Sequence, residues 1–299
     1  MNHFSRLLLA FVACSAFTTP AVAEEPSGTL KKIKDSGIIV LAHRESSIPF
    51  SYYDDKQQVV GYSYEIALKI VDAVKKEFKL SKLEVKLIPV TPANRIQLIQ
   101  NGTVDLECGS TTNNLERQKQ VDFTNTIFII GTRLMTKVNS GIKDFPDLAG
   151  KNVVTTAGTT SEQILRKMNE EKQMKMSLIS AKDHGESFLT LETGRAVAFM
   201  MDDALLYGER AKAKKPGEWV IVGKPQSFEA YGCMLRKDDA AFKKLANETI
   251  AKLGSGGAAE KLYNKWFKSP VPPKGLNLDF PLSEDMKKLF KDPNDKALQ

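Results

Sequence analysis

The sequence predicts an α/β fold made of two units, each with a mainly parallel sheet flanked by helices. Apolar, strand-like runs alternate with amphipathic helical segments through residues 30–108, and the same alternation returns through residues 152–213. Such alternation is typical of parallel sheets covered by helices. The chain of 299 residues is also long enough for two domains at about 100–200 residues each.

The N-terminal segment has the features of a secretory signal peptide. Residues 1–6 are short and basic, residues 7–13 are apolar, and Ala21-Val22-Ala23 is a small-residue cleavage box before Glu24. The apolar run is too short to span a bilayer, which needs about 20 residues. A lipidated Cys14 is the weaker alternative, because Phe11 fits that motif poorly. We therefore expect cleavage after Ala23 and a soluble protein exported to the periplasm.

Composition narrows the classes of partner. The formal charge is +7, and removal of residues 1–23 takes away Arg6 and no acid, which leaves 42 basic and 36 acidic residues, or +6. The basic residues are dispersed beside acids without a basic aromatic stripe, so a nucleic acid is not expected as partner. A positive field still favours a small anionic ligand. The remaining Cys108 and Cys233 permit one disulfide, but their spacing does not establish it.

The first unit contains three predicted strands, each followed by polar residues. The predicted elements are a helix over Leu30–Ser36, a strand over Gly37–Ala42, a helix over Tyr64–Phe78, a strand over Glu84–Val90, a helix over Asn94–Asn101 and a strand over Val104–Cys108. Arg44, Arg95 and a group made of Ser110, Thr112 and Arg117 come just after the strand ends. Because ligands of parallel sheets bind beyond the carboxyl ends of the strands, these side chains are predicted to converge on a site.

The stretch from Glu107 to Arg117 is the most informative part of this unit. An apolar run passes into Gly109-Ser-Thr-Thr112 and then into a charged, helix-like segment. Hydroxyls and free backbone N–H groups at the start of a helix suit a small anion. Arg117 follows about two helical turns later, and its planar guanidinium suits a carboxylate. The alternative from these residues alone is an ordinary capped helix with Arg117 in solvent.

The second unit repeats this pattern. Its predicted elements are a strand over Asn152–Thr156, a helix opened by Gly158-Thr-Thr-Ser-Glu162, a strand over Ser177–Ser180, a helix that ends at Thr193, a strand over Ala196–Met201 and a helix over Ala204–Ala213. Gly-Thr-Thr at a helix start is either an anion cradle or a plain N-cap. Asp202 is either that last helix's N-cap or the partner of a cation, with Asp203 then available as the cap.

Two extended stretches are predicted to carry the chain between the units. Residues 127–136 and 223–228 each hold or adjoin a glycine, at Gly131 and Gly223. Strands over Val220–Val222 and Tyr231–Leu235 and helices over Ala240–Leu253 and Gly257–Trp266 complete the chain. The proline-punctuated tail from Pro270 onward is predicted to lie over the surface.

Five stretches carry a similarity to a known family. They are His43-Arg-Glu-Ser-Ser-Ile-Pro-Phe-Ser-Tyr-Tyr53, residues 107–119, Ser180-Ala-Lys-Asp-His-Gly185, residues 198–203 and Ala230-Tyr-Gly-Cys-Met-Leu-Arg236. They resemble the periplasmic solute-binding proteins of polar amino-acid ABC transporters. The resemblance covers the mature chain and implies a type II periplasmic-binding-protein fold, with two lobes joined by two crossover strands. Lobe 1 would comprise residues 24–130 and 226–299, and lobe 2 residues 131–225.

The resemblance also implies a ligand set for L-glutamate or L-aspartate. It assigns the α-carboxylate to Arg117, Ser110, Thr112, Thr160 and a helix dipole, the α-ammonium to Asp202, and the second carboxylate to Arg44, Arg95 and His184. Pro92 departs from the pattern, because a small hydroxyl residue is expected there, and this leaves the ranking of glutamate against aspartate open. The implied strand order places Cys108 beside Cys233 and so predicts a disulfide.

The implied mechanism is hinge closure of the lobes around the ligand, followed by delivery to an inner-membrane ABC permease complex. No cofactor or metal is expected, and the protein is expected to be a monomer. The alternative is a periplasmic, dehydratase-like enzyme on the same fold, in which His184 and Asp202 serve as acid and base. The sequence offers no nucleophile–base pair, so we expect a binding protein and no enzymatic activity.

Overall fold

The computed structural model describes residues 27–297. The predicted signal peptide and Cys14 lie outside the described residues. Within the described range, each helix is too short or too polar to cross a membrane.

The described residues form ten α-helices and fourteen strands. The helices are α1 (Gly28–Ser36), α2 (Tyr62–Glu77), α3 (Arg95–Gln100), α4 (Leu115–Gln118), α5 (Thr160–Glu171), α6 (His184–Glu192), α7 (Asp203–Lys212), α8 (Ala240–Ser255), α9 (Ala258–Phe267) and α10 (Glu284–Lys291). The strands are β1 (Ile38–His43), β2 (Ser46–Ser47), β3 (Ser51–Tyr53), β4 (Val59–Val60), β5 (Glu84–Pro89), β6 (Leu106–Glu107), β7 (Val121–Lys137), β8 (Asn152–Thr156), β9 (Ser177–Ala181), β10 (Ala198–Asp202), β11 (Trp219–Val222), β12 (Phe228–Arg236), β13 (Pro270–Val271) and β14 (Leu276–Asn277).

Lobe 1 is built on the parallel strands β5, β1 and β6. In β1, Ile38 lies opposite Glu84 of β5, and Leu41 lies opposite Leu106 of β6. The antiparallel strand β12 continues this sheet beyond β6 and pairs with β7. Because β5, β1 and β6 run in the same direction, the residues that follow them meet at one edge of the sheet.

Lobe 2 repeats the arrangement with the parallel strands β9, β8 and β10. Val153 of β8 lies opposite Leu178 of β9 and Ala198 of β10. Strand β10 then pairs antiparallel with β7, so that Asp202 lies opposite Thr132. Strand β11 pairs with the same part of β7. The predicted α/β fold with two lobes is confirmed.

Strand β7 belongs to the sheets of both lobes. Its first part pairs with β12 as far as Gly131, and its last part pairs with β10 and β11. It is longer than the predicted stretch of residues 127–136 because its outer residues also find partners in the two sheets. The second connection, residues 223–227, lies against it: Gln226 N–H donates to Thr132 O at 3.0 Å, and Thr132 N–H donates to Ser227 O at 3.2 Å.

Aromatic rings fill the core of lobe 1. Phe128 of β7 stacks on Phe267 with ring centroids 4.7 Å apart, and Phe50 meets Phe128 edge-on at 4.9 Å. These rings are buried, as are the neighbouring Tyr62 and Tyr231. Such contacts stabilise the fold beyond their buried area. They fix β7 and the segment after β2 against α9, close to the cleft.

The C-terminal tail lies along lobe 1 and includes a helix that the sequence analysis did not predict. Helix α10 is capped by the Ser283 hydroxyl, which accepts from Met286 N–H at 3.2 Å, and it buries Met286 and Leu289. Further on, Asn294 O accepts from Thr126 N–H at 2.7 Å. The charged residues of α10 obscure its short apolar face in the sequence, and contact with lobe 1 makes the segment helical.

A disulfide joins Cys108 to Cys233 across the middle of lobe 1. Cys108 directly follows β6, and Cys233 lies in β12, whose Met234 pairs with Glu107 of β6. Both cysteines are buried. The bond therefore ties the loop that carries Ser110 and Thr112 to the strand that returns from lobe 2.

We predict that the double variant Cys108→Ser/Cys233→Ser is less stable than the wild type. The bond closes a loop with a sequence separation of 125 residues, so its removal is expected to lower the free energy of unfolding by about 2–4 kcal/mol. Urea unfolding followed by circular dichroism measures this, with the wild type under reducing conditions as the control. An unchanged unfolding midpoint would contradict it.

Candidate functional site

Three arginines meet in the cleft between the lobes. Arg44 follows β1, Arg95 begins α3 after β5, and Arg117 lies in α4; they are 1%, 2% and 6% exposed. Arg44 Nη1 donates to Ser110 Oγ at 3.3 Å, and Arg95 Nη1 donates to Ser110 O at 2.9 Å. The structure thus brings together the arginines that the sequence placed after three different strands.

The segment before Arg117 differs from the prediction. Helix α4 begins at Leu115 and is capped by Asn114, so Ser110 and Thr112 do not lie at the start of this helix. The reason is pairing with β12: Asn113 N–H donates to Ala230 O at 2.7 Å, and Gly232 N–H donates to Thr111 O at 3.1 Å. These bonds hold residues 111–113 extended. Arg117 then reaches back, and its Nη1 donates to Thr112 O at 2.9 Å.

The three guanidinium groups lack carboxylate partners. Their hydrogen bonds go to hydroxyl and carbonyl oxygens, and within residues 27–297 no ion pair joins them to an acid. Arg44 Nε and Nη2 and Arg95 Nε have no hydrogen-bond partner there. Burial lowers the pKa of Arg44 to about 9 and that of Arg117 to about 10, and the charge of Arg95 adds to both shifts. A buried, unpaired cation is costly and favours an anionic ligand.

His184 faces this group from lobe 2. It is the first residue of α6 and is 1% exposed. Its Nδ1 lies 2.9 Å from Thr156 Oγ1, and its Nε2 has no partner among the described residues. Burial, followed by the charges of Arg44 and Arg95, lowers its pKa well below 6.5. The ring is therefore neutral at neutral pH and offers a hydrogen bond rather than a charge.

The residues of the Gly158-Thr159-Thr160 motif make different contacts. Thr159 is the N-cap of α5, because its hydroxyl accepts from Glu162 N–H at 3.1 Å. Thr160 is left for the cleft. Gly158 O accepts from Arg117 Nη2 at 3.3 Å, a direct contact between the lobes. Of the two alternatives for this motif, the N-cap is thus present at Thr159, and the anion cradle stays a prediction.

Asp202 is the acid that lobe 2 contributes to the cleft. It ends β10, and its side chain does not cap α7; Asp203 Oδ1 accepts from Ala204 N–H at 2.8 Å instead. The Asp202 carboxylate accepts from Ser161 Oγ at 3.2 Å, from Thr132 Oγ1 at 3.3 Å and from the Tyr231 hydroxyl. Burial and then the charge of Glu229 raise its pKa to about 8.

Two acids of the cleft were missed by the sequence analysis. Glu107 Oε2 accepts from Thr111 Oγ1 at 2.7 Å, below the arginines. Glu229 Oε2 accepts from Thr160 Oγ1 at 2.7 Å and also from the Thr112 hydroxyl. Each is a single acid at a strand end or inside an otherwise apolar strand, and both are buried. That exception within an apolar run is the signal that could have found them.

Pro92 lies at a close approach of the two lobes. A Cβ atom added to Gly158 would come within 2.7 Å of Ala93 Cα and 2.9 Å of the Pro92 carbonyl carbon. Pro92 therefore meets the opposite lobe through its backbone, and it has no hydroxyl to donate at that point. Ser46 makes another contact across the cleft, where its Oγ accepts from Gly185 N–H at 3.2 Å.

This cleft, in which buried arginines and buried acids lie between two α/β lobes, is that of a protein built to enclose a small charged solute. Residues 39–269 match the family of bacterial extracellular solute-binding proteins, family 3. The chain belongs to this family.

The relatives agree with this assignment. The chain is 66% identical to the glutamate/aspartate import solute-binding protein of Salmonella typhimurium, over 92% of this chain and 91% of that protein. It is 60% identical to the L-glutamate/L-aspartate-binding protein of Pseudomonas aeruginosa, over 98% and 97%. Among solved structures, an ancestral arginine-binding protein bound to arginine is 28% identical with a TM-score of 0.69, over 77% of this chain and 98% of that chain.

We predict that Gly158→Ala opens the cleft. The new methyl group would collide with the backbone of Ala93, and the backbone of Gly158 has a φ of +77° that alanine adopts only at a cost of about 1–2 kcal/mol. Small-angle X-ray scattering is expected to show a larger radius of gyration.

Gly150→Ala is the matched control. Gly150 lies in the same lobe with a φ of +72° and has no atom near the position of a Cβ. It should carry the conformational strain without the change of shape. Identical scattering curves for the two variants would contradict the role of Gly158 at the lobe contact.

Proposed function

We propose that this protein binds L-glutamate or L-aspartate in the cleft and delivers it to an ABC importer. The observation that carries the proposal is the set of three buried guanidinium groups without a carboxylate partner. One cation suffices for the α-carboxylate of a neutral amino acid. Three of them suit a ligand with two carboxylates. The glutamate- and aspartate-binding relatives support the same ligand class.

The ligand would lie along the charge gradient of the cleft. Its second carboxylate would bind Arg44, Arg95 and His184, whose free donors Nε, Nη2 and Nε2 have no acceptor among the described residues. Its α-carboxylate would bind Arg117. Its α-ammonium would bind Asp202, which has hydrogen-bond donors around it and no ion pair to a described cation. Charge-assisted hydrogen bonds of this kind contribute about 1.5–3 kcal/mol each.

Closure of the lobes is the proposed mechanism. Lobe 1, residues 24–130 and 226–299, supplies the arginines, and lobe 2, residues 131–225, supplies Thr160, His184 and Asp202. A ligand that contacts both lobes stabilises the closed state by those additional contacts. The hinge would lie at the two connections near Gly131 and Gly223. The dehydratase-like alternative is not favoured, because the family is one of solute-binding proteins.

The location and partners follow from the same reading. The protein would be exported to the periplasm, cleaved after Ala23, and would act as a monomer that docks on an inner-membrane permease complex. No partnership with nucleic acid is part of this function.

We predict that Arg95→Met separates acidic from neutral ligands. Loss of the guanidinium removes charged hydrogen bonds to the second carboxylate, so affinity for L-glutamate should fall about 10–150-fold. Affinity for L-glutamine should change much less, because an amide lacks that charge. Calorimetric titration of refolded, ligand-free protein with L-glutamate, L-aspartate and L-glutamine measures both.

Arg166→Met is the control for this titration, since Arg166 is an exposed arginine paired with Glu162 on α5. It should bind all ligands as the wild type does. Equal losses for L-glutamate and L-glutamine in Arg95→Met would overturn the assignment of Arg95. A wild type that binds none of the three amino acids would overturn the proposed function.

We predict that ligand binding releases protons below about pH 8. The pKa of Asp202 is raised to about 8 by burial and by Glu229, and an ammonium group bound beside the carboxylate lowers it again. Binding therefore favours the ionised form, and affinity should rise with pH until about pH 8. Titrations at pH 7 in buffers of different ionisation enthalpy measure the released protons. A binding enthalpy that is independent of buffer would contradict this.

A further inference from the structure

Glu229 is the acid that connects the two lobes within the cleft. It lies in β12, directly after the second connection, and is 3% exposed. Its Oε2 accepts from Thr112 of lobe 1 and, at 2.7 Å, from Thr160 of lobe 2. Its Oε1 accepts from Ser227 Oγ at 3.0 Å. One carboxylate thus accepts hydrogen bonds from three hydroxyl groups.

The single proton of each hydroxyl decides whether Thr112 and Thr160 can donate a hydrogen bond to a ligand or only accept one. Each hydroxyl carries a single proton and two lone pairs. Because both hydroxyls donate their hydrogen bond to Glu229, Thr112 and Thr160 present only lone pairs to any further group in the cleft. A lone pair suits a donor such as an ammonium group and does not suit a carboxylate. This differs from the roles that the family resemblance implies for these two residues.

Asp202 and Glu229 together form an acidic end of the cleft. Ser227 Oγ lies 2.6 Å from Thr132 Oγ1, and Thr132 Oγ1 lies 3.3 Å from Asp202 Oδ1, so two hydroxyl groups lie between the two acids. Both acids are buried, and within the described residues neither has an ion pair. Arg95 and Arg117 act on them only at longer range. Two buried carboxylates that share one site favour a bound cation.

We propose that Glu229 is a specificity-determining residue for the α-amino group of the ligand. Together with Asp202, Glu229 acts on the ammonium by orienting the hydroxyls of Thr112 and Thr160 as hydrogen-bond acceptors that face it. The α-carboxylate is then left to Arg117 and to the free backbone N–H groups of the first turn of α5. This inference rests on the proposed function and assigns a second acid to its α-amino end.

The test compares L-glutamate with glutarate, which has both carboxylates and no amino group. In the wild type, L-glutamate should bind more tightly than glutarate. In Glu229→Gln, affinity for L-glutamate should fall about tenfold or more, while affinity for glutarate stays unchanged or rises. The ratio of the two dissociation constants, measured by calorimetry at pH 7, is the readout.

Asp105→Asn is the matched control, because Asp105 is a buried acid directly before β6 that pairs with Lys32, away from the carboxyl ends of the strands. Its ratio should equal that of the wild type. Glu229→Asp keeps the charge on a shorter side chain and should retain more of the discrimination than Glu229→Gln. Melting curves of each variant show that it is folded, and the two Glu229 variants together keep the test interpretable if one is unstable.

The outcomes separate this role from others. If both ligands weaken equally in Glu229→Gln, Glu229 only supports closure, and the proposal is wrong. If both bind more tightly by the same factor, Glu229 is a competing anion, and the proposal is again wrong. If the wild type binds L-glutamate but the ratio of the two dissociation constants is unchanged in Glu229→Gln, this inference alone is overturned. A wild type that binds neither compound overturns the proposed function and this inference with it.

Discussion

The burial of three guanidinium groups without carboxylate partners is the constraint on which the cleft depends. All three side chains are buried, and the described residues offer Arg44, Arg95 and Arg117 only hydroxyl and carbonyl oxygens as hydrogen-bond acceptors. Such an arrangement costs folding free energy. A protein can carry that cost when a ligand supplies the missing anion, because binding then recovers the lost interaction. Affinity for an anion and the cost of the unliganded cleft are two aspects of the same arrangement.

The architecture makes this concentration of charge possible. Parallel strands β1, β5 and β6 deliver residues from three distant parts of the chain to one edge, and β10 delivers Asp202 to the facing edge. Strand β7 fixes the two edges relative to each other because it belongs to both sheets. The disulfide from Cys108 to Cys233 anchors the loop with Ser110 beside the strand with Glu229. Strand β7 and the disulfide therefore lie directly behind the polar side chains of the cleft.

The ancestral arginine-binding protein shares this fold with a TM-score of 0.69. Since the lobes are shared, specificity belongs to the side chains at the cleft. Here the cleft carries the arginines Arg44 and Arg95 together with the acids Asp202 and Glu229. The neutral His184 adds a hydrogen bond to the cationic end without adding charge.

The sequence by itself determined the main strands and helices and the position of Arg44, Arg95 and Asp202 at or after strand ends, because the periodicity of apolar residues is a local property. Tertiary structure alone decided the state of the segment after Cys108, which pairs with β12 and leaves Thr112 outside a helix. It also made α10 helical by burying Met286 and Leu289 against lobe 1. Glu229 became part of the site only when β12 returned between the lobes. Contacts between residues about a hundred positions apart, such as Thr112 and Glu229 with a separation of 117, leave no local pattern to read.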